Sequence, residues 1–411
     1  MEPKNVLVIG GGIAGMTAAW ELAEAGVNVH LVEKSGFLGG HAIQYTCKAA
    51  AECLQCGACS VEKMLKNVVE SGHIFPHLST EVETIQKKGG YTVTIKKSTA
   101  FIDPAKCTNC GDCHDKFKDT GVIVRGYSKN NIPLYAVCPE KLNGNASALK
   151  SVCPEKAICI SEQPSVSAIT IDAVLIATGF APFDARIKGT YGYSRFPNVV
   201  SGLDLERIKR QYGYLARPSD GQPAKKIAFI QCVGSRDERL GNLWCSQVCC
   251  PYALRTAASI KHKNPDLDIT VFYMDIQNTG KSFPVFYETC KNNIRFIRSI
   301  PVDIFPIEND CLKMRLFDET EGAPVMEAFD LVVLSTGIMP NPDNRKLSEQ
   351  MAVPLDADGF FMHSDAINKT STPAEGVFIA GTAQGPKTIA ASMAQAGQAA
   401  GGILKYLGVT K

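Results

Sequence analysis

Short apolar runs divide this chain into the alternating strands and helices of an α/β protein. Residues 5–10 are almost wholly apolar and rich in β-branched side chains, which is typical of a strand buried on both faces of a parallel sheet. A glycine-rich turn at 10–15, a helix-compatible stretch at 16–25 and a second apolar run at 27–32 follow. This order predicts a complete βαβ unit at the start of the chain.

Similar runs later in the chain predict further buried strands. Three of them end in glycine: 173–179, 331–337 and 376–381. Another run at 226–231 is followed by a helix-like segment at 252–262 and by a strand-like segment at 268–273. These last three segments predict a second βαβ unit in the middle of the chain.

Length and composition fit an ordinary globular protein. The 411 residues are enough for two or three domains, and 45% hydrophobic with 20% charged residues is typical of soluble folds. A formal net charge of only +2 argues against a broad nucleic-acid or membrane surface. No apolar run reaches the length of a membrane span, and the first strand begins too early to leave room for a signal peptide. We therefore expect a cytoplasmic protein without a direct membrane span.

Sixteen cysteines are the strongest chemical signal in the sequence. In a reducing cytosol, clustered cysteines are more often metal ligands or catalytic thiols than disulfides. Twelve of them fall into three sets of four, each in a different part of the chain.

The first glycine-rich turn has the spacing of a dinucleotide site. Gly10 permits the tight turn, Gly12 lets the backbone approach a pyrophosphate, and Gly15 allows close packing of helix on strand. Glu33 follows the second apolar run, where an acidic residue accepts hydrogen bonds from an adenosine ribose. The turn, its flanking elements and this carboxylate together predict a bound dinucleotide.

The residues after Glu33 make the resemblance more specific. Glu33-Lys34 followed by Gly39-Gly40 resembles flavoprotein oxidoreductases of the glutathione and thioredoxin reductase type, which implies FAD in this site. Residues 173–179 and 331–337 each end in Thr-Gly and resemble the segments that close the two nucleotide domains of that group. Residues 376–381 resemble its second FAD fingerprint. The resemblance implies these FAD-site residues: Gly10, Gly12, Ile13, Ala14, Gly15, Glu33, Lys34, Gly39, Gly40, Thr178, Gly179, Gly381, Thr382 and Lys387.

Two positions near the C-terminus bear on the flavin. Thr382 stands where the fingerprint usually has an acidic residue, so the ribityl contact of that residue does not carry over. Pro386-Lys387 is expected to open a long helix that runs through Leu404. The helix dipole and Lys387 would stabilise negative charge on a reduced flavin, and the alternative is that Lys387 is only solvated at the helix start.

A set of thiols replaces the glycine loop of the second βαβ unit. The set is Cys232, Cys245, Cys249 and Cys250. An anionic cluster at the start of the following helix would use the dipole and free N–H groups that phosphate otherwise uses. Four thiolates suit a [4Fe–4S] cube or tetrahedral zinc. Adjacent cysteines diverge on regular secondary structure, so joint ligation by Cys249 and Cys250 predicts non-helical backbone there.

A second set begins with half of a bacterial ferredoxin signature, Cys107, Cys110 and Cys113. A distant Cys-Pro pair is expected to supply the fourth ligand. We favour Cys153 over Cys138, although both lie in near-repeats of Val-Cys-Pro-Glu-Lys. His114 as a ligand and zinc in place of iron are the alternatives.

The third set, Cys47, Cys53, Cys56 and Cys59, follows Gly39-Gly40 closely. Four cysteines in so short a segment favour a cluster. Disulfide oxidoreductases carry their redox-active cysteines near this point, so a Cys53–Cys56 dithiol is the alternative. Plain structural cysteines are a third interpretation.

The thiol set at 232–250 and Gly385-Pro386-Lys387 are similar to motifs in the A subunit of heterodisulfide reductase. The resemblance to this subunit extends over essentially the whole chain. Long members carry an extra N-terminal domain and a C-terminal ferredoxin extension, which we do not expect in this chain. The short form with these cysteines resembles the A subunit of the quinone-interacting membrane-bound oxidoreductase complexes of sulfate reducers. The resemblance implies an electron-transfer flavoprotein subunit, peripherally attached to the membrane through sister subunits. The sister subunits would be a second flavin/iron–sulfur subunit and a haem-bearing membrane subunit, and the physiological partner would be adenylylsulfate reductase.

The expected fold class is α/β, with two Rossmann-like nucleotide-binding-type domains and an inserted ferredoxin-like iron–sulfur module. We expect the FAD domain at 1–100, 163–204 and 330–411, the inserted module at 101–162, and the second Rossmann-like domain at 205–329. The expected cofactors are FAD and two [4Fe–4S] clusters, with a third if the set at 47–59 binds one. NAD(P)H is not expected to react directly. The alternatives are a stand-alone dithiol oxidoreductase and a zinc-bearing interaction subunit.

Overall fold

The computed structural model describes residues 3–87, 89–103, 105–125, 135–278, 280–318, 322–364 and 366–409. Within these ranges the α-helices are α1 (Ile13–Ala23), α2 (Ala58–Glu70), α3 (Asp112–Phe117), α4 (Ala146–Val152), α5 (Gly202–Tyr212), α6 (Cys249–Lys263), α7 (Phe283–Lys291), α8 (Asn344–Met351) and α9 (Ile389–Leu407). Short 3-10 turns lie at Ala42–Gln44, Pro139–Lys141, Ala185–Ile187, Gly189–Tyr191, Glu238–Leu240, Glu308–Asp310 and Gly381–Gln384.

The described strands are numbered in chain order. They are β1 (Asn5–Ile9), β2 (Asn28–Val32), β3 (Ile74–His77), β4 (Thr80–Lys87), β5 (Tyr91–Lys97), β6 (Ala100–Ile102), β7 (Ile123–Arg125), β8 (Tyr135–Val137), β9 (Ile158–Ile160), β10 (Ser165–Ile171), β11 (Ala173–Ile176), β12 (Phe180–Pro182), β13 (Val199–Ser201), β14 (Lys226–Val233), β15 (Asp268–Phe272), β16 (Arg295–Ile297), β17 (Asp303–Pro306), β18 (Leu312–Asp318), β19 (Ala323–Phe329), β20 (Leu331–Thr336), β21 (Ile338–Pro340) and β22 (Val377–Ile379).

The first parallel sheet combines strands from both ends of the chain. Its order is β22-β11-β1-β2-β3, and each neighbouring pair is parallel. Successive residues of β1 enter different apolar clusters, Val6 and Val8 on one face and Leu7 and Ile9 on the other. A sheet covered on both faces explains why these strands are almost continuously apolar in sequence.

The second parallel sheet has the order β13-β20-β14-β15-β16. Helix α6 connects β14 to β15, so a second βαβ unit is present as predicted. Apolar clusters again cover both faces, one around Phe229 and the other around Ile230. The α/β fold class with two Rossmann-like sheets is confirmed.

Antiparallel pairs complete the described fold. Three-stranded sheets have the orders β10-β5-β4 and β17-β18-β19, and β12 pairs with β21 between the two Rossmann-like parts. The segment between β6 and β9 is closed at its base by their pairing, Ala100 opposite Ile160. Inside it, α3, β7, β8 and α4 surround an apolar cluster of their own.

Three helices differ in their bounds from the sequence prediction. Helix α1 spans Ile13–Ala23 and not 16–25, because it begins within the glycine-rich turn. Helix α6 begins at Cys249 and not at Tyr252, since Pro251 falls in the first turn, where a missing N–H costs nothing. Helix α9 begins at Ile389 behind a Thr388 cap and ends at Leu407, so Lys387 lies just before the helix. Among the described helices, none combines the length and the apolar character needed to cross a bilayer.

Candidate functional site

A cavity of about 620 Å³ lies where the two Rossmann-like parts meet. The N-terminal part contributes the turn after β1 and the segment after β2, and the middle part contributes the start of α6 and the end of β20. Ligands of open parallel sheets bind beyond the carboxyl ends of the strands, and this cavity lies beyond those of β1, β2 and β11. A cavity of this size and place is typical of a cofactor site.

The glycine turn has the geometry that the fingerprint requires. Gly10 has φ +109°, and a Cβ there would lie 2.3 Å from the Ala177 carbonyl oxygen. A Cβ on Gly15 would lie 1.9 Å from the Gly10 oxygen, so glycine permits the close packing of α1 on β1. At Gly12 a Cβ would meet nothing within 4 Å, because this residue faces the cavity. The three glycines thus perform three separate steric tasks.

Glu33 is fixed by backbone donors at the cavity wall. Its Oε2 accepts a hydrogen bond from the Gly11 N–H (2.7 Å), and its Oε1 accepts one from the Ser35 N–H (2.7 Å). The neighbouring Lys34 pairs with Asp343 of the C-terminal part at 3.0 Å. Each Glu33 oxygen retains accepting capacity, so the carboxylate is held ready for ribose hydroxyls.

Most of the FAD residues implied by resemblance line this one cavity. These are Gly10, Gly12, Ile13, Ala14, Glu33, Lys34, Gly39, Gly40, Thr178, Gly179, Thr382 and Lys387. Gly15 lies behind the wall, as does Gly381, whose N–H donates to the Gln395 Oε1 at 2.9 Å. Burial lowers the pKa of Lys387 to about 8, with a further contribution from Lys369. Lys387 is therefore not simply solvated.

Two buried polar atoms at the wall test whether the cavity suits a polar cofactor. His41 contacts the Phe180 carbonyl oxygen through Nε2 at 3.1 Å, whereas its buried Nδ1 has no hydrogen-bond partner among the described residues. The buried Ser335 hydroxyl likewise lacks a partner within the described ranges. Unsatisfied buried polar groups are costly, so a ligand that pairs with them accounts for their placement. With the glycine turn, these atoms fit FAD.

The thiol set of the second βαβ unit gathers at the start of α6. Cys232 is the penultimate residue of β14 and has φ +56°, at an irregularity in the pairing of β14 with β20. This left-handed conformation turns its thiol to that of Cys249, and Cys245 lies close to Cys232. Non-glycine residues in this region cost free energy and are typical of functional sites.

Hydrogen bonds and burial shift the pKa values of these thiols in opposite directions. Hydrogen bonds from Cys232 and Cys250 hold the pKa of Cys249 well below its usual value. The same bonds, together with burial, raise the pKa values of Cys232 and Cys250. Cys249 is the first residue of a helix, where the dipole and free N–H groups also favour a thiolate.

The prediction of non-helical backbone at this site was wrong. Cys249 and Cys250 are the first two residues of α6, and their side chains nevertheless contact each other. Only Cys249 of the set lines the large cavity. Gln231 and Ser235, beside Cys232, are buried, and no described residue pairs with their side-chain polar atoms. These donors fit the inorganic sulfides of a cluster.

The set at 107–153 lines a small pocket in the segment between β6 and β9. Cys107, Cys110, Cys113 and Cys153 all face it. Cys138 lies outside its described lining, and the Cys138 thiol donates to Glu140 Oε2 at 3.1 Å. Burial raises the pKa of Cys113 to about 11, with Cys107 adding to the shift.

His114 is not part of this pocket. Its ring contacts Asp115 at 3.3 Å and lies near the Tyr135 ring. Across the described ranges, no three His, Cys, Asp or Glu side chains are placed as ligands of a single metal ion. A [4Fe–4S] cube takes one thiolate for each iron, so its four ligands need not converge on one point.

The set at 47–59 is more open. Cys47, Cys53 and Cys59 are exposed, and Cys56 is half-buried. Of these four, Cys56 lines the large cavity. The segment packs on α6, because Arg255 donates to the Leu54 carbonyl at 2.7 Å.

A buried polar group at the cavity was not predicted from the sequence. Lys48 pairs with Glu206 of α5, and the Tyr252 hydroxyl of α6 lies 3.0 Å from Glu206 Oε1. Lys48 and Tyr252 line the cavity. The three residues lie on segments far apart in the sequence, so spacing contains no signal that would join them.

Comparison with known proteins agrees with this site. Residues 4–212 match the family model "Pyridine nucleotide-disulphide oxidoreductase". The chain is 34% identical to the A subunit of the H(2):CoB-CoM heterodisulfide,ferredoxin reductase of Methanothermobacter thermautotrophicus, over 96% of this chain and 63% of that protein. It is 33% identical to the iron–sulfur A subunit of the CoB--CoM heterodisulfide reductase of Methanocaldococcus jannaschii, over 97% of this chain and 64% of that protein. It thus spans somewhat less than two thirds of these relatives.

Solved structures show the same fold at low identity. A thioredoxin reductase from T. acidophilum aligns with a TM-score of 0.57 at 13% identity, covering 98% of both chains. A thioredoxin reductase from Lactococcus lactis aligns at 0.56 and 15% identity, covering 98% of this chain and 99% of that one. The glycine turn, the two parallel sheets and the family match together lead to one conclusion. This chain is an oxidoreductase of the pyridine nucleotide-disulphide oxidoreductase family.

Proposed function

We propose that this protein is an electron-transfer subunit that uses FAD and iron–sulfur clusters. The observation that carries the proposal is that Gly12 of the FAD fingerprint and Cys249 of the thiol set line one cavity. FAD exchanges electrons in pairs or singly, and iron–sulfur clusters carry them singly to other proteins. A thiol set beside the flavin cavity therefore favours electron exchange over hydride transfer from a nicotinamide.

The chain's own residues would hold these groups as follows. Gly10 and Gly12 would admit the FAD pyrophosphate, Glu33 would accept from the ribose, and Lys387 would place a cation beside the flavin. One cluster would be bound by Cys232, Cys245, Cys249 and Cys250, and a second by Cys107, Cys110, Cys113 and Cys153. The set at 47–59 would bind a third. The burial of Cys232, Cys249 and Cys250 would exclude water from the first of these clusters.

The finer proposal concerns the complex in which this subunit works. The relatives named above reduce a CoB-CoM heterodisulfide, according to their names. The resemblance of the cysteine sets to those of the quinone-interacting oxidoreductase A subunit supports a complex of sulfate reducers for this chain. There it would work with a second flavin/iron–sulfur subunit, and with a haem-bearing membrane subunit. It would pass electrons between the quinone pool and adenylylsulfate reductase, attached peripherally to the cytoplasmic face of the membrane.

Metal, sulfide and flavin analysis of anaerobically purified protein tests the core of the proposal. We expect one FAD and about eight to twelve iron atoms per chain, with matching acid-labile sulfide. Stoichiometric zinc with negligible sulfide and no visible flavin bands would contradict it and favour a zinc-bearing interaction subunit. Purification of the tagged protein from a sulfate reducer, followed by quinol-dependent reduction of adenylylsulfate reductase, tests the finer proposal. The finer proposal would be contradicted if neither the haem-bearing membrane subunit nor the second flavin/iron–sulfur subunit is purified with the tagged protein.

A second candidate function is dithiol–disulfide exchange. The observation that favours it is that half-buried Cys56 lines the cavity while Cys53 is exposed to solvent. In that case Cys53 would attack a disulfide substrate, and Cys56 would complete the exchange next to the flavin. Cys56→Ser distinguishes the two functions. Loss of iron indicates a cluster, whereas unchanged iron with loss of a thiolate–flavin charge-transfer band indicates a dithiol.

A further inference from the structure

Two cysteine segments far apart in the chain share one sequence pattern. Residues 53–59 are Cys-Leu-Gln-Cys-Gly-Ala-Cys, and residues 107–113 are Cys-Thr-Asn-Cys-Gly-Asp-Cys. Both follow the order Cys-x-x-Cys-Gly-x-Cys. The second segment supplies three of the four thiols that line the small pocket between β6 and β9. The shared pattern predicts that the first segment adopts the same local backbone.

The backbone of the two segments agrees position by position. The third residue is left-handed in both, with φ +52° at Gln55 and φ +58° at Asn109. The fifth residue is a left-handed glycine that precedes the next helix, Gly57 before α2 and Gly111 before α3. The third cysteine is therefore the second residue of a helix in each case. A non-glycine residue with positive φ is uncommon, so its recurrence at the same place indicates the same kind of loop.

The left-handed turn brings a backbone N–H to a thiol sulfur. The Gln55 N–H donates to Cys53 Sγ at 3.4 Å. The thiol set between β14 and α6 contains the same arrangement, because Gln247 has φ +59° and its N–H donates to Cys245 Sγ at 3.3 Å. N–H donors stabilise negative charge on sulfur, and the thiolate is the form that ligates metals. The geometry of residues 53–59 thus suits cluster ligands.

Cys59 separates a cluster loop from a dithiol. Exchange with a disulfide would use only Cys53 and Cys56, and it assigns no task to a third thiol at the second position of α2. Cys113 occupies the equivalent position of α3 and lines the small pocket. The repeat therefore favours ligation by all three cysteines of residues 53–59.

Residues 53–59 lie between the large cavity and solvent. Cys56 lines the cavity, and a Cβ on Gly57 would lie 3.1 Å from Ile389 of the same lining. Cys53 and Cys59, by contrast, are exposed to solvent. The thiol set at the start of α6 also reaches the cavity, but each of its members is buried or half-buried. A cluster at residues 53–59 would therefore be close both to the flavin and to a docked protein.

We propose that residues 53–59 form a second ferredoxin-type ligand loop, and that its cluster is the surface port at which a one-electron carrier protein exchanges electrons with the flavin. The carrier would be a small protein with its own iron–sulfur cluster near its surface, since such clusters transfer electrons singly. Cys47, whose sulfur also accepts from a backbone N–H (Ala49, 3.4 Å), would complete the ligand set. The inference rests on the FAD and clusters of the proposed function and adds the class of partner.

The electrons balance over two encounters with the carrier. Each reduced carrier loses one electron and is oxidised, and two such electrons with two protons from solvent convert FAD to FADH2. In the opposite direction the two electrons pass to two oxidised carriers, and the two protons return to solvent.

Iron analysis of anaerobically purified variants tests the ligand loop. Cys59→Ser should lose about four iron atoms per chain, whereas a Cys53–Cys56 dithiol predicts unchanged iron. Gln55→Val should lose the same iron, because a β-branched residue does not tolerate the left-handed conformation, and Gln55→Gly should keep it. Cys159→Ser, which removes a half-buried thiol outside the three sets, is the control. Unchanged iron in both Cys59→Ser and Gln55→Val would overturn the ligand loop.

Anaerobic stopped-flow reduction tests the port, with a reduced bacterial [4Fe–4S] ferredoxin as the probe. The wild type and Cys159→Ser should show rapid bleaching of the flavin, and Cys59→Ser should lose it. Dithionite should still bleach the flavin of Cys59→Ser, which shows that FAD remains bound and reducible. Equal ferredoxin rates in the wild type and an iron-depleted Cys59→Ser, or no reaction of the wild type, would overturn the port. A wild-type protein without FAD or iron would instead contradict the proposed function.

Discussion

The thiols of Cys232 and Cys249 contact each other, although Cys232 is the penultimate residue of β14 and Cys249 is the first residue of α6. Their contact depends on the left-handed backbone of Cys232 and on the irregular pairing of β14 at that point. Strand and helix are consecutive elements of a βαβ unit, and a nucleotide-binding member of the family would use this junction for phosphate. In this chain the junction holds thiols, and its helix start faces the flavin cavity.

Replacement of Cys249 tests the thiol set directly. Cys249→Ser should remove about four iron atoms per chain while FAD stays bound, because serine is nearly isosteric but its alkoxide is a harder and far more basic ligand. The measurement is iron per flavin, together with the cluster signals in electron paramagnetic resonance. Cys311→Ser is the control, since Cys311 lies outside all three sets. Unchanged iron and signals in both Cys249→Ser and Cys250→Ser would rule out the proposed ligation.

The near-repeats around Cys138 and Cys153 provide a matched pair for the second cluster. Cys153→Ser should lose the cluster at Cys107, Cys110 and Cys113, because Cys153 completes the lining of their pocket. Cys138→Ser should keep it, since the Cys138 thiol is engaged with Glu140. Iron analysis of both variants decides the matter. Equal iron loss in the two would show that the pocket is not the cluster site.

Gly12 tests the FAD site without disturbing the fold. A Cβ at Gly12 would meet no described atom within 4 Å, but it would project where the pyrophosphate must approach. Gly12→Val should therefore unfold at the wild-type temperature and bind FAD about ten- to a hundredfold more weakly. Gly72→Val is the control, because Gly72 is equally open and lies outside the cavity lining. Equal FAD affinity in both variants would place the cofactor elsewhere.

The thiol set should also prevent direct use of NAD(P)H. The junction of β14 and α6 carries Cys232 and Cys249 in place of a glycine loop that could bring backbone N–H groups to a pyrophosphate. In anaerobic stopped-flow experiments, neither NADH nor NADPH should bleach the flavin faster than the background rate, although dithionite does. Rapid bleaching by either nucleotide would show that the site still accepts it.

Acid should destabilise the protein through the histidine pair at β2 and β3. His30 Nδ1 lies 3.0 Å from His77 Nε2, and burial, with His30 and Lys97 adding to it, lowers the pKa of His77 to about 4. Between pH 6.5 and 4 the unfolded chain binds a proton at His77 that the folded protein does not. The free energy of unfolding should therefore decrease as the pH is lowered from 6.5 to 4. The expected decrease is about 1–2 kcal/mol, after allowance for the partial exposure of His77.

A substitution isolates the contribution of this histidine. Denaturant unfolding of His77→Gln should show a smaller loss of stability from pH 6.5 to pH 4 than the wild type. His363→Gln, which removes a histidine outside the pair, should keep the wild-type dependence. An identical pH profile in wild type and His77→Gln would contradict the assignment.

Local sequence was sufficient for the main parallel strands and for the glycine turn of the first βαβ unit. Buried parallel strands require continuous apolar runs, and the steric limits at Gly10, Gly12 and Gly15 leave a signature within six consecutive residues. The sequence also showed that thiols replace the second glycine loop, because this loop too is a local feature that directly follows a predicted strand. The boundaries of α6 were less well predicted, because Pro251 and two cysteines are poor helix formers in general but tolerated in a first turn.

Only the tertiary structure decided which distant groups meet. Cys138 and Cys153 have the same flanking residues, so sequence favoured one only weakly, and the path of the chain around α4 brings Cys153 to the pocket. Lys48, Glu206 and Tyr252 come from three segments that pack together only when the two Rossmann-like parts close on the cavity. A buried charge is tolerable because its partner is near in space, and nearness in space across a domain junction leaves no periodic trace in a sequence.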